Sequence, residues 1–164
     1  MKVYSDVVDM YDNYDLRKSL FFHKNQDDSY SFKGNYNGLG TNALFGGITT
    51  AEIYLIQAEC NVRLDFIESA LNGINTLLLN RYSAGYFAPI LITEQDQLLK
   101  IVLKERRKEL VFRGLRWSDL RRLNKDSRFS ETLSRELNGI TYSLPPNDPR
   151  YVFPIPKYVS TITY

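Results

Sequence analysis

Glu105 and Glu109 lie in the most charge-dense stretch of the chain, Lys104-Glu105-Arg106-Arg107-Lys108-Glu109, which continues through Arg113, Arg116, Asp119, Arg121 and Arg122. Two carboxylates one helical turn apart have about the 5–10 Å separation that glycoside hydrolysis uses. A single helix face, however, cannot flank a scissile bond from both sides. The surrounding cations could instead form an anion-binding surface. Against that, Leu98, Val102, Glu105, Glu109 and Phe112 fall on one helical face, which sets both acids in an apolar stripe. A half-buried carboxylate calls for a bidentate arginine, because leaving it unpaired costs several kcal/mol. The pattern therefore predicts a structural ion-pair lattice. Glu105, Glu109 and Asp119 would meet Arg106, Arg116 and Arg121, with Arg122 as a further partner, and pin a long helix to a short one. Cutting Arg116 to Ala would then cost about 3–5 kcal/mol.

The other reactive residue types do not assemble a catalytic set. Asp6, Asp9, Asp12 and Asp15 recur every three residues, but a calcium loop needs alternate acids followed by glycine. They read as a solvated helix face or as N-terminal caps. His23 is the only histidine and Cys60 the only cysteine, so multi-histidine and cysteine-built metal centres are excluded. His23 falls in a strand-like run with no serine or cysteine partner beside it. Cys60 falls inside a helix, where a small core residue is the simplest reading. Gly34, Gly38 and Gly40 lack the spacing and the Lys-Ser/Thr of a phosphate loop. No metal, no cofactor and no catalytic residue is expected.

Binding chemistry is better represented. The chain is 13% aromatic, with 12 tyrosines. Tyr30, Phe32, Tyr36 and Phe45 surround a glycine-dotted loop that also holds Asn35, Asn37 and Asn42. Tyr82, Tyr86 and Phe87 surround a second loop. Rings on loops can stack on the C–H faces of sugars while amides bond hydroxyls, although the same rings can simply anchor loops to the body. Tyr36, Asn37, Phe45 and Tyr86 are the candidate ligand contacts. Trp117, between Arg116 and Asp119, reads as core.

The elements that would position these residues can be traced in order. Lys18-Ser19-Leu20-Phe21-Phe22-His23 and Ser29-Tyr30-Ser31-Phe32-Lys33 flank Asn25-Gln26-Asp27-Asp28, predicting two strands and a turn. Residues 49–81 predict a helical hairpin. Its first helix opens on the capping box Thr49-Thr50-Ala51-Glu52 and carries the stripe Ala51, Tyr54, Leu55, Ala58, Val62. Asp65 is placed as the cap of the second helix, which buries Ile67, Ala70, Leu71, Ile74, Leu77 and Leu78. Gly73 in that helix suggests a close crossing. Ala58 and Ala70 have the spacing of small contact residues in a tetratricopeptide pair, but one copy must dock on something else. Thr93 and Asp96 open the longest helix, which reaches about Arg113, with Gly114 as a left-handed C-cap. A short helix covers Trp117 to Leu123. In the tail, Ile140-Thr141-Tyr142-Ser143-Leu144 is expected to pair with Tyr151-Val152-Phe153 before prolines end the sheet.

The 164 residues carry 21 Lys+Arg against 19 Asp+Glu, are 43% hydrophobic and 24% charged, and hold a net charge of +2. That composition excludes a wholly disordered chain, and the charge is too small to argue for nucleic acid. No apolar stretch of about 20 residues crosses a membrane. No leader-like apolar segment follows Met1. No linker divides the chain, so residues 1–164 read as one unit.

Three segments together resemble the carboxyl-terminal part of SusD/RagB-type proteins, the outer-membrane nutrient-capture lipoproteins of Bacteroidetes. They are residues 50–59 (Thr-Ala-Glu-Ile-Tyr-Leu-Ile-Gln-Ala-Glu), Glu105-Arg106-Arg107-Lys108-Glu109-Leu110 running into Arg116-Trp117-Ser118-Asp119-Leu120-Arg121-Arg122, and Tyr151-Val152-Phe153-Pro154-Ile155-Pro156. The Asp15-Leu16-Arg17 step and residues 30–36 also resemble the family, so the likeness covers roughly residues 10–158. It implies a mainly α fold: a tetratricopeptide-like hairpin plus a long helix, with small β-hairpins near both ends. It further implies non-catalytic binding of a glycan or oligosaccharide, starch-like or other polysaccharide, at the cell surface. The partner would be a TonB-dependent SusC-like transporter, and the membrane would be reached only through a lipid anchor. The family's signal, acylated cysteine, earlier helix pairs and Gln-Asn-Pro-like ending have no counterpart in these residues. Peptide or protein binding by a helical scaffold is the alternative that the resemblance leaves open.

Overall fold

Helical periodicity in residues 49–109 is realised as three packed helices. The computed structural model describes residues 2–34 and 45–155. These fall into two compact units, Met1–Gly114 and Leu115–Tyr164, although composition shows no break at that point.

In the first unit, α1 (Ser5–Val8) and α2 (Leu16–Phe21) precede a three-stranded antiparallel sheet. Its strands β1 (Lys2–Val3), β2 (Phe22–Lys24) and β3 (Tyr30–Phe32) lie in the order β1-β3-β2. Residues 18–21 are helical rather than extended. The Asp15 carboxylate accepts the Arg17 N–H and nucleates a turn that overrides their strand-like composition. Val8, Tyr11 and Phe22 form a small core here, covered by Phe32 and Phe112 among others.

The helical hairpin is α3 (Thr50–Arg63) and α4 (Ile67–Leu79), and the long helix is α5 (Gln95–Glu109); α3 packs on both others. Leu55, Ala58, Val62, Ala70, Ile74, Leu98 and Val102 have no solvent exposure at all. Thr49 caps α3 by accepting the Glu52 N–H, but only half of the expected capping box forms. The Glu52 carboxylate turns instead towards Arg106 and Arg113, 3.7 Å from each. Asp65 caps nothing: it takes a left-handed backbone (φ 63°) between the helices, and the N-cap of α4 is Phe66. Cys60 is exposed, because the buried stripe 55–58–62 lies on the opposite face of α3.

Gly73 is not at a close crossing either, since a Cβ built there meets nothing within 4 Å. Its helix-weakening effect is thus uncompensated. Gly73→Ala should stabilise the protein by about 0.5–1 kcal/mol, read as a higher midpoint in urea. An unchanged or lower midpoint would show that the glycine is needed for some other reason.

The second unit holds α6 (Arg116–Leu123), the hairpin of β4 (Leu133–Leu137) and β5 (Ile140–Leu144), and a 3₁₀ turn at Pro149–Tyr151. The expected pairing of residues 140–144 with Tyr151-Val152-Phe153 does not occur. Asn138-Gly139 supplies the two positive-φ residues (51° and 75°) of a tight hairpin, so β5 pairs with β4, Leu137 opposite Ile140. Asp148 and Pro149 then wind residues 149–151 into the 3₁₀ turn. Trp117 is half-buried, and its indole N–H donates to the Tyr151 carbonyl at 3.1 Å. The architecture is mainly α with small antiparallel sheets, as the sequence indicates.

Candidate functional site

Glu105 and Glu109 of α5 are buried and fully engaged. Glu105 Oε2 accepts from Arg17 Nη2 at 2.7 Å, and its Oε1 from Lys108 at 2.8 Å. Glu109 accepts from Arg17 Nη1 at 3.0 Å and from Arg81, whose Nη2 lies at 2.8 Å. Asp15 completes the group, chelating Arg17 through both oxygens at 2.9 and 2.7 Å and meeting Lys108 at 2.8 Å. Arg17, Asp15 and Lys108 are each 2% exposed. Burial alone would raise the Asp15 pKa, but the hydrogen bonds and charges of Arg17 and Lys108 outweigh it and hold it below the ordinary carboxylate value. Burial likewise opposes the Arg17 charge, yet Asp15, Glu105 and Glu109 keep its pKa above the usual guanidinium value.

The cations differ from those nominated by sequence. Arg17, Arg81 and Lys108 hold Glu105 and Glu109, whereas Arg106 approaches Glu52, Arg116 meets Glu131 at 2.7 Å, and Asp119 meets Arg122 at 2.9 Å. Arg116 and Glu131 are both well exposed, so the cost assigned to cutting Arg116 belongs to Arg17. Reagent chemistry by Glu105 and Glu109 is disfavoured, because every oxygen already serves a cation.

An open cleft of about 290 Å³ lies beside this lattice, lined by Asp12, Leu78, Tyr82, Tyr86, Phe87, Ile101 and Glu105 among others. The loop that carries its rings is tied at both ends. Leu16 N–H donates to the Arg81 carbonyl at 2.9 Å, Ser83 N–H to Tyr14 at 3.0 Å, and Asp15 bridges to Tyr82 as an antiparallel pair. At the far end the Asn75 amide exchanges two hydrogen bonds with Ile90, at 3.0 and 2.8 Å. Between them Ser83-Ala84-Gly85-Tyr86 closes a turn that requires the positive φ of Gly85, 83°. Tyr82 is half-buried; burial, with the hydrogen bond and negative charge of Asp12, raises its phenol pKa. Tyr86 is 55% exposed and stacks on Tyr14 at 3.7 Å, which occupies one of its two faces.

The other candidate contacts divide. Phe45 is half-buried under the Arg113 guanidinium, 4.7 Å from its ring centre, while Arg113 also donates to the Gly47 carbonyl. Tyr36 and Asn37 lie outside the described residues. His23 is exposed on β2. Among the described residues no group of acids, histidines or cysteines could hold a metal, and no helix is long and apolar enough to cross a membrane. Asp12 and Tyr82 were not singled out by sequence as a pair; the only local signal was their place beside the aromatic loop and the Asp15-Leu16-Arg17 step.

No curated protein matches the sequence. A solved structure described as a SusD-like carbohydrate binding protein from Bacteroides vulgatus ATCC 8482 has a similar fold, with a TM-score of 0.62 and 21% identity. The likeness covers 98% of this chain and 40% of that one, so the chain spans well under half of that relative's length. The sequence model of the SusD family matches residues 17–159, from the central arginine of the lattice to beyond the 3₁₀ turn. The chain belongs to the SusD family.

Proposed function

We propose that this chain contributes to non-catalytic glycan capture at the bacterial outer membrane. Membership of the SusD family over residues 17–159 is the observation that carries this reading. The cleft supports it with the exposed ring of Tyr86 beside the Asp12 carboxylate, while Glu105 and Glu109 are held in ion pairs. Captured oligosaccharide, starch-like or from another polysaccharide, would pass to a TonB-dependent SusC-like transporter. Attachment to the membrane of a Bacteroidetes-type cell would be by a lipid anchor. Tyr86 is the leading contact, with Tyr36, Asn37 and Phe45 as further contacts.

Isothermal titration against neutral and acidic oligosaccharides tests the proposal. Tyr86→Ala should weaken binding of the best ligand about fivefold to tenfold, the value of one aromatic stacking face. Unchanged affinity would move the site out of the cleft. Release of reducing ends by the purified protein would contradict the non-catalytic reading. A second reading, a helical scaffold for a peptide or protein, is favoured by the exposed apolar residues Ile53 and Ile56 on α3 and Leu64 at its C-cap. Saturable binding of a transporter-derived peptide, with every glycan silent, would move the conclusion there.

A further inference from the structure

The cleft has a charge of one sign only. Among the described residues that line it, the groups charged at neutral pH are Asp12 and Glu105, and no lysine or arginine is present. The cations behind its wall are committed elsewhere: Arg17 and Lys108 to Asp15 and Glu105, and Arg81 to Glu109. Lys108 lies 5.9 Å from the Tyr82 ring centre, but its ammonium is directed at two carboxylates. Four acids (Asp12, Asp15, Glu105, Glu109) thus face three bases (Arg17, Arg81, Lys108) across the lattice and cleft. The excess negative charge falls at Asp12, on the solvent side. Asp12 has acceptor oxygens to offer: its Oδ1 takes the N–H groups of Tyr14 and Asp15 at 2.8 and 3.0 Å, and it also pairs with the Tyr82 hydroxyl. Leu78, Ala88, Ile90 and Ile101 supply the rest of the wall, and apolar walls concentrate such a field.

We infer that this cleft accepts uncharged sugar rings and rejects rings that carry a carboxylate or sulfate. A neutral pyranose donates hydroxyls to the carboxylate while its C–H face meets Tyr86 or Phe87. A uronate entering the same space finds no cation among the described lining residues and meets the Asp12 charge at close range. The inference rests on the glycan-binding reading above.

The test is titration of the chain with maltoheptaose, xylohexaose and laminarihexaose against hexagalacturonate and a chondroitin sulfate hexasaccharide, at 20 and 300 mM NaCl. The best neutral ligand should bind at least tenfold more tightly than either acidic one at low salt, and the gap should narrow at high salt. Asp12→Asn keeps the oxygen that accepts the two N–H groups and removes the charge. It should reduce the gap to about threefold. Equal or tighter binding of an acidic ligand that Tyr86→Ala abolishes would overturn the charge rule and leave glycan binding intact. So would selectivity that survives Asp12→Asn unchanged. No saturable binding of any of the five ligands would end both.

Discussion

Arg17→Ala should destabilise the first unit by about 3–5 kcal/mol, as a loss of denaturant midpoint at neutral pH. One guanidinium there serves Asp15, Glu105 and Glu109 at 2.7–3.0 Å, and it is almost completely buried. Removing it leaves three carboxylates to share Lys108 and Arg81, in a place where water cannot replace the lost donors. The pH dependence carries the diagnostic sign. In the native protein the Asp15 pKa is lowered, so its contribution is present above the unfolded value of 3.8 and fades as pH falls below it. Arg17→Ala removes the hydrogen bonds and charge that offset the burial of Asp15, so the variant lacks most of this contribution at every pH. The deficit against the native chain should therefore be largest near pH 7 and shrink below about pH 4. Should the alanine variant fail to fold, Arg17→Lys gives the same comparison. Its point charge cannot form the fork to three acids, and an intermediate loss of about 1.5–3 kcal/mol is expected. A deficit under 1 kcal/mol in both variants, flat with pH, would show that the lattice contributes little.

What could be read in advance follows the range of the interactions. The α3–α4 hairpin was legible because Leu55, Ala58, Val62, Ala70 and Ile74 repeat at helical spacing and all are buried. Burial of Glu105 and Glu109 was legible for the same reason. Their partners were not: Arg17 lies 88 and 92 residues away, and no local pattern selects it over the nearer arginines. The long helix also stops at Glu109 rather than near Arg113, since Phe112 takes a left-handed backbone (φ 57°) before Gly114 does. The Asn138-Gly139 hairpin is a different case. Its turn signal is present in the sequence, and alternation in residues 140–144 drew attention to the wrong partner strand. At the cleft, ring types were legible but their arrangement was not. Tyr14 covering Tyr86, and Arg113 covering Phe45, are non-local contacts that decide how much ring face stays open.

Trp117→Ala is expected to have the largest effect within the second unit. Among the described residues of that unit the buried apolar side chains are few, namely Leu120, Leu123 and Tyr151. Trp117 organises the segment after the hairpin: its ring lies 4.9 Å from Tyr151 and 5.5 Å from Phe153, and its N–H holds the Tyr151 carbonyl. These contacts give a physical role to two of the family-like segments, since the tryptophan of α6 grips the rings of the Tyr-Val-Phe-Pro run. Truncating a half-buried indole should cost about 2–4 kcal/mol, somewhat less than a fully buried one. The Tyr151 and Val152 amides, which close the 3₁₀ turn onto Asp148 and Pro149 at 3.0 Å, would then exchange with solvent roughly 100-fold faster. Trp117→Phe separates the two contributions. It keeps an aromatic face and removes the donor, leaving the Tyr151 carbonyl dependent on water, so a loss of about 1 kcal/mol is expected. Equal losses in the two variants would assign the grip to the hydrogen bond, and an unchanged exchange rate in Trp117→Ala would mean that the segment is held by other contacts.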